Sequence, residues 1–233
     1  MGFHRVAAVA GLVCALLLVV NAARRGGLVA ETALTHAIAP FAALAGLLAV
    51  TGIYLVIRGS AGVLGLVGYV LNSAGLAGAF AVEYILHFVF PYLGGGTVAA
   101  LVAGGTGRAF LVTSVVLVMG VVVFGVAAVR SGTMPVVAVG LYVVGMLPGS
   151  LRNLVPEPVY LGGLLMAALG VAGMALRLWS IGEETAARTA AGSGVKVGRA
   201  AGGPMVRGGI VAGGVPGGVA GGVPGAERGP IKE

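Results

Sequence analysis

The sequence predicts an all-α fold: a polytopic transmembrane helical bundle of about six spans, closed by a disordered Gly-rich C-terminal tail. Three observations carry this. Six apolar runs, at residues 6–23, 37–57, 61–82, 109–129, 134–151 and 158–176, each approach the length of a bilayer crossing. A helix of about 20 apolar residues, rising 1.5 Å per residue, crosses a hydrocarbon core of about 30 Å. Hydrophobic residues make up 58% of the chain and charged ones 9%, with a mean hydropathy of +1.08, against about 25% charged residues in ordinary soluble domains. The few charges stand at the ends of the runs, where Arg24-Arg25, Arg58, Glu83, Arg130 and Arg152 close the first five.

The first run follows His4 and Arg5 and ends at Arg24-Arg25. Its small residues around Val20-Asn21-Ala22 also fit a secretory signal with a cleavage site, which would leave five spans. It is longer than a typical h-region of about 7–15 residues, and the basic pair behind it suits a retained span. Short connections separate most runs, so the membrane part forms one bundle, residues 1–181. The longest connection, 83–108, opens with the aromatic-rich stretch 84–92 and passes through Gly94-Gly95-Gly96 and Gly104-Gly105. Aromatic residues beside a span predict a helical extension at the interface, ended by Pro91 and the glycines. Pro148 and Pro156 flank Arg152-Asn153 between the last two runs. Prolines there end helices, although a broken, re-entrant segment of the transporter kind is the alternative.

From Gly182 the composition changes to glycine and small residues, with Ala-Gly-Gly-Val-Pro-Gly at 212–217 and again at 220–225. So few large side chains cannot offset the entropy of ordering, and residues 182–233 are expected to be disordered. Small residues at four-residue spacing, Ala7/Gly11/Ala15, Ala42/Gly46 and Ala74/Gly78, allow the close helix packing that membranes require. With 44 glycines in the chain, the spacing implies tight packing without naming partners.

The net charge is +7 and the isoelectric point near 10.2, yet the basic residues stand singly at run ends, with no basic stripe and no interleaved aromatics. Nucleic acid is therefore excluded as a partner. The expected partners are the lipid bilayer and another membrane protein or a second copy of the chain. Cys14, alone inside the first run, has no disulfide or metal partner. Six spans put both termini on one side together with Arg5, Arg58, Arg130 and Arg177, and leave Arg24, Arg25, Arg108 and Arg152 opposite. The positive-inside rule then places both termini in the cytoplasm and the chain in the cell membrane.

The third span carries the candidate polar residues Asn72, Glu83 and His87. Their spacing brings them toward one helical face, with Gly65 and Gly68 below. The sharp reading is a proton or cation path, or a carboxylate and imidazole pair, because intramembrane ionisable groups are functional by default. The magnitude favours a plainer one. From Ala61 to Glu83 is 22 residues, roughly 33 Å along the axis, which reaches the far boundary of the core and makes an interfacial ion pair inexpensive.

In this topology Glu31, Glu83, Glu157, His36 and His87 share the outer side with four arginines. Loop salt bridges account for the grouping, with an outward pocket for a small polar ligand or a metal as the alternative. Opposed His36 and His87 would suit a haem, but His36 stands just before its helix. No cofactor is expected. Three motif matches fail: Glu183-Glu184 with Arg188 resembles an intramembrane protease signature but follows the last span, Gly192 to Lys196 lacks the ending of a phosphate loop, and no histidine in the last three spans completes a serine dyad.

The N-terminal span closed by basic residues, the glutamate followed by aromatics and proline (Glu83 to Pro91), and the alanine- and glycine-rich close resemble small uncharacterised multi-span membrane proteins of GC-rich bacteria. The resemblance reaches about Trp179 and implies location and architecture only. The sequence therefore leads to a multi-pass, non-enzymatic accessory or interaction protein, with a small-solute or ion transporter using Asn72, Glu83 and His87 as its rival. Orientation is directly testable. In a Cys14→Ala background, an impermeant maleimide should label T106C and spare S131C in intact cells; the reverse pattern contradicts the assignment.

Overall fold

The computed structural model describes residues 2–151 and 154–197, with side chains described to residue 190. Arg152, Asn153 and the predicted disordered tail beyond Val197 lie outside the described residues, which contain helices and no strand. In chain order the helices are α1 (Phe3–Arg25), α2 (Ala33–Ile38), α3 (Phe41–Phe88), a 3-10 turn (Phe90–Tyr92), α4 (Gly95–Ala103), α5 (Gly105–Arg130), α6 (Val136–Ser150) and α7 (Glu157–Val197). Among them α1, α5, α7 and the stretch Ala33–Tyr92 are long and apolar enough to cross a membrane.

α3 is two passes. Its 48 residues would reach about 72 Å as a straight helix, twice what a bilayer needs. Gly62 breaks it with φ 55° and ψ −150°, a conformation that side chains with a Cβ rarely adopt. Limbs 41–61 and 63–88 fold back antiparallel. Tyr54 stacks on Tyr69 at 4.4 Å between centroids, Thr51 Oγ1 lies 3.3 Å from Tyr69 Oη, and Phe41 meets Phe80 edge-on. With this fold-back the described helices provide six antiparallel limbs, and the expected break after residue 57 falls close to this turn.

Each pass packs antiparallel on the next, and the ring closes. α1 meets the first limb at Ala7 against Gly52 and Cys14 against Gly46. The second limb meets α5 at Gly68 against Phe124, Asn72 against Gly120 and Gly75 against Leu117. Gly125 of α5 faces Val143 of α6, Gly145 of α6 faces Ala167 of α7, and Ala175 of α7 returns to Gly11 of α1. At the two ends of the α1 and α7 seam, Arg5 lies over Trp179 and Arg25 over Tyr160.

Glycines carry the seams because hydrophobic force does not draw helices together in lipid, so backbone approach and van der Waals contact must. A β-carbon on Gly68 would stand 2.6 Å from the Phe124 nitrogen. The expected small-residue pairs are used in this way: Gly11, Gly46 and Gly78 face Ala175, Cys14 and Thr113. At the Trp179 end Ile53, Ile57, Val121, Phe124, Met174 and Leu178 fill the ring. At the other end, beside α4, large side chains are fewer.

Three expectations change. The 83–108 connection contains α4, a further helix of 9 residues, because Thr97 to Ala103 are apolar or small and tolerate a helix once Gly94 has turned the chain. α6 has 15 residues, about 22 Å, shorter than the expected 134–151, since Pro135 sets its start and Pro148 stands in its last turn. The boundary at Gly182 falls inside α7, which runs to Val197. Good helix formers follow Gly182, and contacts across the expected boundary tie them back: Trp179 Nε1 donates to Glu183 at 2.9 Å, and Arg177 pairs with Glu184 at 3.2 Å.

G120V should drive a side chain into the Asn72 backbone and lower stability by about 1–3 kcal/mol, the usual cost of overpacking. Thermal unfolding in detergent reads this as an earlier transition, whereas G140A, at an exposed position with open space around it, should leave the transition in place. An unmoved transition in G120V would contradict the close seam.

Candidate functional site

The polar side chains of the α4 end form one connected chain. It begins on α1, where Asn21 and Arg24 stand three residues apart on one face and Arg24 Nη2 donates to Asn21 Oδ1 at 3.0 Å. The Arg24 side chain is only 3% exposed. Arg24 Nη1 lies 3.8 Å from the Glu31 carboxylate and 3.4 Å from His36 Nδ1.

α2 brings His36 there. Thr32 caps that helix, accepting from the Thr35 backbone N–H while the Thr35 hydroxyl accepts from the Thr32 N–H, so two otherwise orphaned donors are satisfied. His36 Nδ1 then lies 2.8 Å from His87 Nδ1. His87 Nε2 lies 3.1 Å from Glu83 Oε2, one turn back on α3. His87 is nearly enclosed at 7% exposure, Glu83 is 22% exposed, and Glu31 is open to solvent at 66%. His36, on the short helix ahead of the second pass, is held below the usual histidine range. Burial is the main cause, followed by the charges of Arg24 and His87, with Glu31 acting the other way.

Two cavities adjoin this chain. One, of about 110 Å³, lies on the ring axis among Cys14, Asn21, Gly46, Leu76, Tyr142 and Met174. The second, of about 480 Å³, lies between α3, α4, α5 and the ends of α6 and α7, with hydroxyls from Thr113, Ser114, Ser150 and Tyr160 among apolar walls. Glu83 lines both, as do Ala79, Leu117, Gly149 and Tyr160.

The three candidate residues of the third span therefore divide. Glu83 and His87 join the polar chain. Asn72, fully buried, lies 11 residues before Glu83, about 16 Å along the helix, and pairs with Tyr142 of α6: its amide donates to Tyr142 Oη at 2.9 Å, and the Tyr142 hydroxyl lies 3.2 Å from Asn72 Oδ1. Tyr142 lines the axial cavity, so the polar stripe is interrupted there by an apolar stretch.

Other sequence candidates sort themselves. His36 and His87 touch directly, with ring centroids 5.0 Å apart, leaving no space for a haem between them. Among the described residues no three His, Cys, Asp or Glu side chains gather to hold a metal. Glu183 and Glu184 are engaged at the surface by Trp179 and Arg177. The sequence presents Arg24 only as a run-end charge, and its burial has one local signal, Asn21 one turn before it. Compared with protein-family models, curated proteins and solved structures, the chain matches none.

The Asn72 and Tyr142 pair is measurable apart from any activity. Interhelical hydrogen bonds in membrane proteins contribute about 0.6–1.7 kcal/mol. N72L and Y142F should each lower stability by about that amount, and the double variant by less than the sum, in a double-mutant cycle read by thermal unfolding. Strict additivity would show that the two side chains do not interact.

Proposed function

We propose that the chain is a multi-pass, non-enzymatic protein of a bacterial cytoplasmic membrane, with both termini in the cytoplasm, that carries a small solute through the cavity beside Glu83. One observation carries the reading. Glu83 lies on the wall shared by the axial cavity and the larger side cavity, while its other flank contacts His87.

The accessory or interaction role expected from the sequence rests on the absence of a complete catalytic set and on nearly featureless spans. A carboxylate bordering a cavity of about 480 Å³ favours the rival. Small-molecule sites are mostly apolar concavities of about 300–1,000 Å³ with a few placed polar groups. Thr113, Ser114 and Ser150 supply such groups beside Glu83.

In this reading the solute enters from the α4 end, which the positive-inside rule puts outside the cytoplasm. Arg58, Arg130 and Arg177 mark the opposite, cytoplasmic end. There Ile57, Phe124 and Leu178 are fully buried and close the way, so carriage requires the helices to part at that end.

Proteoliposomes offered labelled amino acids, sugars and small organic cations in turn should accumulate at least one class. E83Q should lower that uptake tenfold or more while folding normally. No uptake of any class, or equal uptake by E83Q, overturns the proposal. A stoichiometric membrane partner recovered in mild detergent together with absent uptake would return the reading to an accessory protein.

A further inference from the structure

We infer that His36 and His87 form a proton wire between the aqueous α4 end and Glu83, so that the cavity carboxylate exchanges its proton with water through two imidazoles. This rests on the carrier reading for its purpose, though not for its chemistry. Among the described residues, the charged and titratable groups facing the wire include Arg24 of α1, Glu31 of the loop after it, His36 of α2, and Glu83 and His87 of α3, with Tyr160 of α7 on the cavity walls it shares with Glu83.

The contacts fix the direction of each ring. Both Nδ1 atoms point at one another across 2.8 Å, a hydrogen bond that needs one proton between them. Each Nε2 faces a carboxylate: Glu83 at 3.1 Å from His87 and Glu31 at 4.0 Å from His36. The first is a hydrogen bond. The second is a gap of the length a bridging water spans, and Glu31 stands in solvent. The sequence carboxylate, imidazole, imidazole, carboxylate thus runs from solvent to the cavity wall without a missing link wider than one water.

The transfer balances as follows. At the start His36 carries its proton on Nδ1 and donates it to His87 Nδ1; His87 carries its own on Nε2 and donates it to the Glu83 carboxylate. A proton from water bonds to His36 Nε2. The His36 Nδ1 proton then passes to His87 Nδ1, and the His87 Nε2 proton passes to Glu83 Oε2. Each ring has gained one proton and lost one. Glu83 ends neutral, its O–H donating to His87 Nε2, while His87 Nδ1–H donates to His36 Nδ1. The reverse passage discharges it.

Arg24 biases this exchange. Its guanidinium is always protonated and has no acceptor, so its Nη1, 3.4 Å from His36 Nδ1, suits only the arrangement in which that nitrogen is bare. That is the state with the proton delivered to Glu83. The same fixed charge, with burial, discourages a proton from resting on His36, as a relay requires.

The chain has three histidines, so ¹⁵N-histidine spectra of the protein in bilayers can be assigned with H36F and H87F. A through-hydrogen-bond coupling between the two Nδ1 atoms is expected in the wild type and absent in either variant. After a rapid drop in external pH, the infrared carboxylic acid band that E83Q removes should rise at least tenfold more slowly in H36F, which keeps the Glu83 and His87 contact. No coupling, or an unchanged rate in H36F, overturns the wire. Absent solute uptake with coupling and slowed protonation intact would defeat the carrier reading and leave the wire standing.

Discussion

Backbone approach at glycine is the constraint on which this structure depends. In a bilayer the lipid tails are as apolar as leucine, so burying a helix face against another helix gains little. What remains is contact density, and a residue without a Cβ gives the most. The seam between the second limb of α3 and α5 shows the consequence: Gly68, Gly75 and Gly120 bring two backbones close enough that any larger residue would displace the partner. Asn72 is fully buried because Gly120 lies against its backbone, and its amide then has Tyr142 within reach. The same economy recurs from seam to seam until α7 closes on α1.

A ring closed this way is tight where side chains fill its axis and hollow where they do not. Large side chains gather toward the Trp179 end. Toward α4 the axis is bordered by Gly46, Ala79 and Gly149, and a cavity follows. The polar chain lies at that hollow end, where solvent-exposed Glu31 and the short helix α2 give charged groups access to water. Burial of Arg24 is tolerated because Asn21 and His36 engage its guanidinium and Glu31 lies near it. Packing and chemistry are thus linked: a fully packed α4 end would leave Glu83 nothing to border.

Much of the fold was legible in the chain. Run lengths and run-end charges separate the six limbs, and the gap between the runs 37–57 and 61–82 falls close to the turn at Gly62, since hydropathy acts locally. The site was legible only in part. Glu83 and His87 share a helix, so i, i+4 spacing found them. Topology brings His36 and His87 to the same end, but their direct contact across 51 residues and that of Tyr142 with Asn72 across 70 depend on how the helices pack, on which spacing carries no information. A polar residue's direction on one helix can be read from its sequence, whereas what stands opposite depends on how the ring closes. The run of α7 past Gly182 was obscured for a different reason. Composition averaged over the whole tail hid the helix formers at 183–190 and the contacts from Trp179 and Arg177 that extend the helix.

The closed ring stands on the seam between α1 and α7, which joins the first and last limbs and without which there is no enclosed axis. Gly26 and Leu161 meet there, with a Leu161 methyl 3.7 Å from where a β-carbon on Gly26 would lie. In a Cys14→Ala background, a short bifunctional thiol reagent should bridge G26C to L161C within one chain, in membranes, and leave G26C with L111C unbridged. Bridging of the first pair alone is the predicted result; failure to bridge it, or equal bridging of both, would contradict the closed ring.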